Sequence, residues 1–145
     1  MATTIYFSGA ISGGRTDVPL YRRIVDVLEQ DGYRVLAGSV ASEDVTDHGE
    51  DFDPCVVFTR DIGWIEQANV LVAEVSTPST GVGYEIATAR YRYHMPVICL
   101  YRPAYTKRCS AMVSGDMGIE VIEYDEAGFA TMLERLREAL ARARE

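Results

Sequence analysis

Glu85, Asp61 and Tyr6 are the residues of this 145-residue chain whose types and positions best suit bond-breaking chemistry. Glu85 falls in the first turns of an expected helix, just after the stretch Ser76-Thr77-Pro78-Ser79-Thr80-Gly81-Val82-Gly83-Tyr84. A carboxylate there can attack or stabilise an electrophilic carbon. It can equally complement the helix dipole, as many surface glutamates do. Asp61 precedes Trp64 by three residues and Ile65 by four, on an expected helix with an apolar face. A carboxyl close to Trp and to a second carboxylate has its pKa raised and can serve as a general acid. A solvent-facing helix residue is the plainer alternative. Tyr6, on the first expected strand, can hydrogen-bond a nucleophilic carboxylate or simply fill the core. Glu74, closing the third expected strand, is open in the same way.

Two loops frame these residues. The first reads Ser8-Gly9-Ala10-Ile11-Ser12-Gly13-Gly14-Arg15, with glycines that allow close backbone approach and one fixed positive charge. It suits a phosphate or a sugar, and it also suits an ordinary strand-to-helix turn. Gly-Lys-Ser/Thr is missing and Gly9-x-x-x-Gly13 is too loose for a dinucleotide fingerprint, which argues against a nucleoside triphosphate site. In the second loop Gly81 and Gly83 leave backbone N–H groups at a helix N-terminus, where the dipole favours an anion, and Ser79 adds a hydroxyl. That is a phosphate cradle without lysine; Ser/Thr capping with glycines for tight packing is its structural alternative.

The elements that position these loops are short β-like runs alternating with helix-length amphipathic ones, a pattern that favours a parallel sheet flanked by helices. Strands are expected at Thr4–Ser8, Tyr33–Leu36, Val70–Val75, Val97–Tyr101 and Ile119–Ile122. A helix capped by Thr16 or Asp17 carries Pro19 in its first turn and ends at Gly32. Others are expected from Asp53-Pro54 to about Ala68, from the Ser76–Gly83 turn region to about Tyr93, near Ser110–Val113, and from Glu126 onward. The expected fold is one α/β domain over residues 1–145, a doubly wound five-stranded parallel sheet in the order 2-1-3-4-5. Ligands bind such sheets beyond the strand carboxyl ends, where strands one and three diverge. This places residues 8–15 and 76–85 at the site.

The formal charge of −8 argues against nucleic-acid polymers, which need a basic footprint. Yet Glu43, Asp44, Asp47, Glu50, Asp51 and Asp53 supply most of it within one expected surface loop. Irregular spacing and abundant acid favour a solvated segment there, with a metal site that includes His48 as the alternative. The longest apolar runs are far too short to span a bilayer. Met1-Ala2-Thr3-Thr4 leads directly into a strand, so no cleavable leader is expected. Cys55, Cys99 and Cys109 form neither a disulfide framework nor zinc-ligand spacing, and a reducing, cytoplasmic setting is expected.

Taken together, Tyr6, the Ser8–Arg15 loop, Asp61, Ala73-Glu74-Val75 and Pro78-Ser79-x-Gly81-Val82-Gly83-Tyr84-Glu85 resemble the nucleoside 2-deoxyribosyltransferase family. The match is closest to its 2′-deoxynucleoside 5′-phosphate N-hydrolase branch, and it continues through Cys99-Leu100-Tyr101-Arg102-Pro103 and Ser110-Ala111-Met112. The resemblance implies that Glu85 is the nucleophile, Asp61 its acidic partner and Tyr6 the residue that orients it. It implies a sugar-phosphate loop of Gly9, Ala10, Ile11, Ser12, Gly13, Gly14 and Arg15, and a phosphate turn of Ser79 and Gly81. Ser110, with Ala111 and Met112, is implied to reach the site of a neighbouring subunit, hence a homodimer. Two positions depart from the branch: Ser12 stands where it carries Arg, and Ser39 where it carries His. The implied activity is hydrolysis of deoxynucleoside 5′-monophosphates through a covalent glutamyl intermediate, with no metal or organic cofactor. Base exchange between free deoxynucleosides, and a nucleotide-binding sensor without turnover, are the alternatives.

Overall fold

A computed structural model describes residues 2–11, 16–37, 40, 53–105 and 107–145. Its five parallel strands are β1 (Thr4–Gly9), β2 (Arg34–Leu36), β3 (Val70–Glu74), β4 (Val97–Tyr101) and β5 (Ile119–Glu123). They lie in the order β2-β1-β3-β4-β5, as the alternation of segments predicts. The three central strands are buried at every position, which is why TIYFSG, VLVAE and VICLY lack strict alternation. Edge strand β5 alternates between more and less exposed positions instead.

Helices α1 (Val18–Gln30) and α5 (Phe129–Arg142) supply Tyr21, Ile24, Leu28, Met132, Leu136 and Leu140 to one core, against Ile5, Phe7, Val70 and Val72. Helices α2 (Pro54–Gln67) and α3 (Thr80–Ala87) pack Ile65, Val82 and Ile86 on the other face, against Tyr6, Leu71, Ala73 and Cys99. A short helix α4 (Ala111–Ser114) also contributes Val113 to this second core. The period of two along β1 thus sends Ile5 and Phe7 to one layer and Tyr6 to the other. Gly32 follows α1 at φ +92°, a left-handed conformation that suits glycine after a helix end.

The structure corrects the expected boundaries at three helices. Asp17 does sit at the N-cap of α1, but its side chain makes no capping bond; it is drawn instead to Thr77 and Arg102. The region expected as a turn through Gly83 ends at Ser79, so Gly81 and Gly83 are helical. That helix then loosens into a π-helical turn at Thr88–Arg92. The last helix begins at Phe129 rather than Glu126, because Asp125 accepts the Gly128 N–H and closes a turn first. No helix among the described residues is long and apolar enough to cross a membrane.

Candidate active site

Tyr6 and Ser8 are two apart on β1, so both side chains leave the sheet on the side covered by α2 and α3. Glu85, in the second turn of α3, meets them there. The Tyr6 hydroxyl donates to Glu85 Oε2 and Ser8 Oγ donates to Oε1 at 2.9 Å. Both carboxylate oxygens are therefore held by hydroxyl donors from one rigid central strand. Asp61 of α2 lines the same narrow cleft, with Gly9, Ile11, Ala37, Val40 and Arg60. Arg60 binds Asp61 Oδ1 through Nε and a terminal nitrogen, both at 2.9 Å, and stacks 4.8 Å above the Trp64 ring.

Electrostatics separates the groups by role. Burial pushes the Glu85 carboxyl up from the usual range to about 7, and Asp61 adds to the rise, while the Tyr6 and Ser8 hydrogen bonds and Arg60 oppose it. Burial and the two nearby carboxylates hold the Tyr6 phenol well above its ordinary value, so it remains a donor at neutral pH. A carboxyl that titrates near neutrality inside a cleft is suited to proton transfer or nucleophilic attack.

The loop residues are placed in part. Gly9 ends β1 packed so tightly that a Cβ would meet the Tyr21 ring at 3.0 Å and Val40 at 3.1 Å. Ala10 is buried and Ile11 half-buried at the cleft. Ser12, Gly13, Gly14, Arg15 and Ser39, and His48 with the acidic segment before Asp53, lie outside the described residues. Ser79 caps α3, its Oγ accepting the Val82 N–H at 3.3 Å. The structural alternative for this turn is thus real, and its hydroxyl proton remains free to donate. Gly81 is exposed in the first turn of α3. Ser79 and Ser110 of the same chain line a second groove of about 370 Å³, which does not include Glu85. Ser110, Ala111 and Met112 are all exposed, Met112 to 85%, and none of them lines the Glu85 cleft of the same chain. No group of metal-ligating side chains occurs among the described residues.

No protein-family model matches the chain. Individual relatives do. The 5-hydroxymethyl-dUMP N-hydrolase of Esox lucius is 38% identical over 144 residues, covering 95% of this chain and 98% of that protein. The Mus musculus protein of the same name is 40% identical over 141 residues, covering 94% and 80%. A Methanosarcina mazei protein provisionally named 2′-deoxynucleoside 5′-phosphate N-hydrolase 1 is 37% identical over 123 residues, covering 85% and 76%. The chain belongs to the 2′-deoxynucleoside 5′-phosphate N-hydrolase family. Two solved structures share the fold of this family member at lower identity. A conserved protein from Enterococcus faecalis superposes with a TM-score of 0.70 at 17% identity, covering 93% of this chain and 99% of that one. The CMP N-glycosidase BcmB of Clostridium botulinum superposes at 0.58 and 16%, covering 94% and 97%.

For this N-hydrolase family member, the residues that sequence reasoning missed are Ser8 as a partner of Glu85, Arg60 as a partner of Asp61, and Arg102. Ser8 was accessible in principle, since any residue two from Tyr6 on a strand shares its face. Arg60 was accessible too, as the immediate neighbour of Asp61 on α2. Arg102 carries no local signal; only the packed strand ends bring it to its carboxylates.

Proposed function

We propose that this protein hydrolyses the N-glycosidic bond of 2′-deoxynucleoside 5′-monophosphates to free base and 2-deoxyribose 5-phosphate. The observation that carries the reading is the Glu85 carboxylate, clamped through both oxygens by Tyr6 and Ser8 and facing Asp61 at the sheet's switch point. The names of the relatives support the same substrate class. Deprotonated Glu85 attacks C1′ of the sugar as the bond to the base breaks, through an oxocarbenium-like transition state, giving a deoxyribosyl ester. Asp61 passes a proton to the departing base. Water then attacks C1′ from the vacated face, its proton returns to Asp61, and Glu85 leaves as a carboxylate with retention at C1′. Tyr6 and Ser8 orient the carboxylate and lower its cost of carrying charge. Ser79 and the first N–H groups of α3 take the 5′-phosphate, which the helix dipole favours.

The assay is base release from a panel that includes 5-hydroxymethyl-dUMP and the unmodified deoxynucleoside monophosphates. Turnover of at least one is expected, with no new nucleotide when a second free base is added. Because attack requires ionised Glu85, kcat/KM should fall below pH 7, about tenfold per unit once well below that value. An acid limb near pH 4.5 would remove the raised carboxyl from the mechanism.

A second copy of the chain completes the proposed site. Phe58, Tyr84, Tyr91 and Met112 are all at least half exposed on the side of α2, α3 and α4, an apolar surface that suits burial by a partner. Burial there would bring Ser110 toward the neighbouring phosphate turn. Light scattering is expected to give twice the 16.1 kDa chain mass; a monomer at assay concentration would refute the shared site.

A further inference from the structure

A buried charged cluster that takes no part in the chemistry above lies where several elements end. Glu74 closes β3 and is fully buried, Arg102 follows β4 and is 5% exposed, Asp17 precedes α1, and Tyr124 follows β5. The backbone N–H of Arg102 and its Nε–H both donate to Ser76 Oγ, at 2.9 and 3.2 Å. Nε also reaches Glu74 Oε2 at 3.2 Å, and a terminal nitrogen donates to Asp17 Oδ2 at 2.8 Å. That same Asp17 oxygen accepts the Thr77 hydroxyl at 3.1 Å. Glu74 accepts the Ser76 N–H at 2.7 Å and the Tyr124 hydroxyl.

Stability alone does not call for this arrangement. Two buried carboxylates share one buried guanidinium, and apolar side chains of similar volume commonly serve a fold as well or better. What the network does accomplish is to tie down the hydroxyls of both Ser76 and Thr77, the residues that lead into the Ser79 cap of α3. Pro78, between Thr77 and Ser79, has a fixed φ, which removes one of the backbone rotations that could absorb a shift at Thr77 before it reaches Ser79.

We propose that Arg102, acting with Asp17 and Glu74, is a positioning residue that fixes the Ser76-Thr77 turn against α1 and so sets where Ser79 and the start of α3 meet a 5′-phosphate. The inference rests on the hydrolase reading for its substrate, though not for its geometry.

Asp17→Asn tests it most cleanly. The variant leaves Glu74 and Arg102 as a one-to-one pair, so it should fold with a melting temperature close to wild type. Its neutral amide nevertheless weakens the charge-assisted links to Arg102 and Thr77. With a deoxynucleoside 5′-monophosphate that the wild type hydrolyses, KM should rise about tenfold while kcat stays within about twofold. The inhibition constant of 2-deoxyribose 5-phosphate should rise in parallel. A residue that merely held the fold together would reduce the active fraction, lowering apparent kcat and leaving KM unchanged. Arg102→Lys should show the same split, and if it does not fold, Asp17→Asn alone decides.

Amide hydrogen exchange gives a readout independent of turnover. The Val82 and Gly83 N–H groups, which bond to Ser79, should exchange about tenfold faster in Asp17→Asn, with β4 unaffected. A wild-type KM in folded Asp17→Asn overturns the proposal, whatever the exchange shows. Should the wild type release base from no 5′-monophosphate, the hydrolase reading falls, and unchanged exchange at Val82 and Gly83 would then overturn the positioning role separately.

Discussion

Glu85→Gln should lower base release by a factor of about 10⁴ or more, because it removes the attacking oxygen anion while keeping the side chain's shape. The amide can still accept from Tyr6 and donate to Ser8, so the cleft stays filled and the loss reports chemistry rather than collapse. The same variant should also be more stable than wild type at alkaline pH. Glu85 has its carboxyl raised from 4.5 to about 7 in the folded protein, so the native state holds that proton more tightly than the unfolded chain does. Its favourable contribution is complete below about pH 4.5 and is lost as the pH rises through 7. For a partly buried group the loss is about 2–3 kcal/mol, which the uncharged glutamine does not incur. Thermal melts should thus separate the two proteins by several degrees at pH 8 and bring them together near pH 4.5. Retained turnover would sink the nucleophile assignment, and a pH-independent stability difference would sink the origin given for the raised carboxyl.

Arg102→Ala should destabilise the protein by about 3–5 kcal/mol, a fall in melting temperature of roughly 10 °C or more. The cost comes less from lost attraction than from what is left behind. Glu74 at 0% and Asp17 at 8% exposure would keep their carboxylates in the interior without the guanidinium that answers both. The exposed pair of Arg137 with Asp31 is an internal contrast. Its distances are similar, 2.7 and 3.2 Å to the two oxygens of one carboxylate, but Arg137 is solvated, so Arg137→Ala should barely move the melting temperature. Equal effects of the two substitutions, read by chemical denaturation, would show that burial of the Arg102 network contributes nothing special.

The sequence by itself determined the sheet and its order. Apolar runs such as Val70-Leu71-Val72-Ala73 and Val97–Tyr101, separated by amphipathic helices, fit central parallel strands, and that alternation leaves few topologies. It also brought Tyr6 and Glu85 forward, because a switch point is a property of strand order and both lie beside it in the chain. Asp61 came forward from its place near Trp64 on a helix and from the family resemblance. Helix ends were less legible. Asp17 and Ser79 are both good capping residues by type, yet only Ser79 caps, since Asp17 finds a stronger partner in Arg102, 85 residues away.

What only the tertiary structure decided is how the carboxylates are answered. Glu85 receives two hydroxyls from a strand nearly eighty residues earlier, and Glu74 becomes a buried structural group that Arg102 and Tyr124 satisfy. Local patterns reveal which face a side chain occupies, because periodicity is a property of neighbours in the chain. Whether a buried carboxyl is raised, paired or tied down depends on the groups that packing carries to it from distant segments, and on the water that the same packing removes.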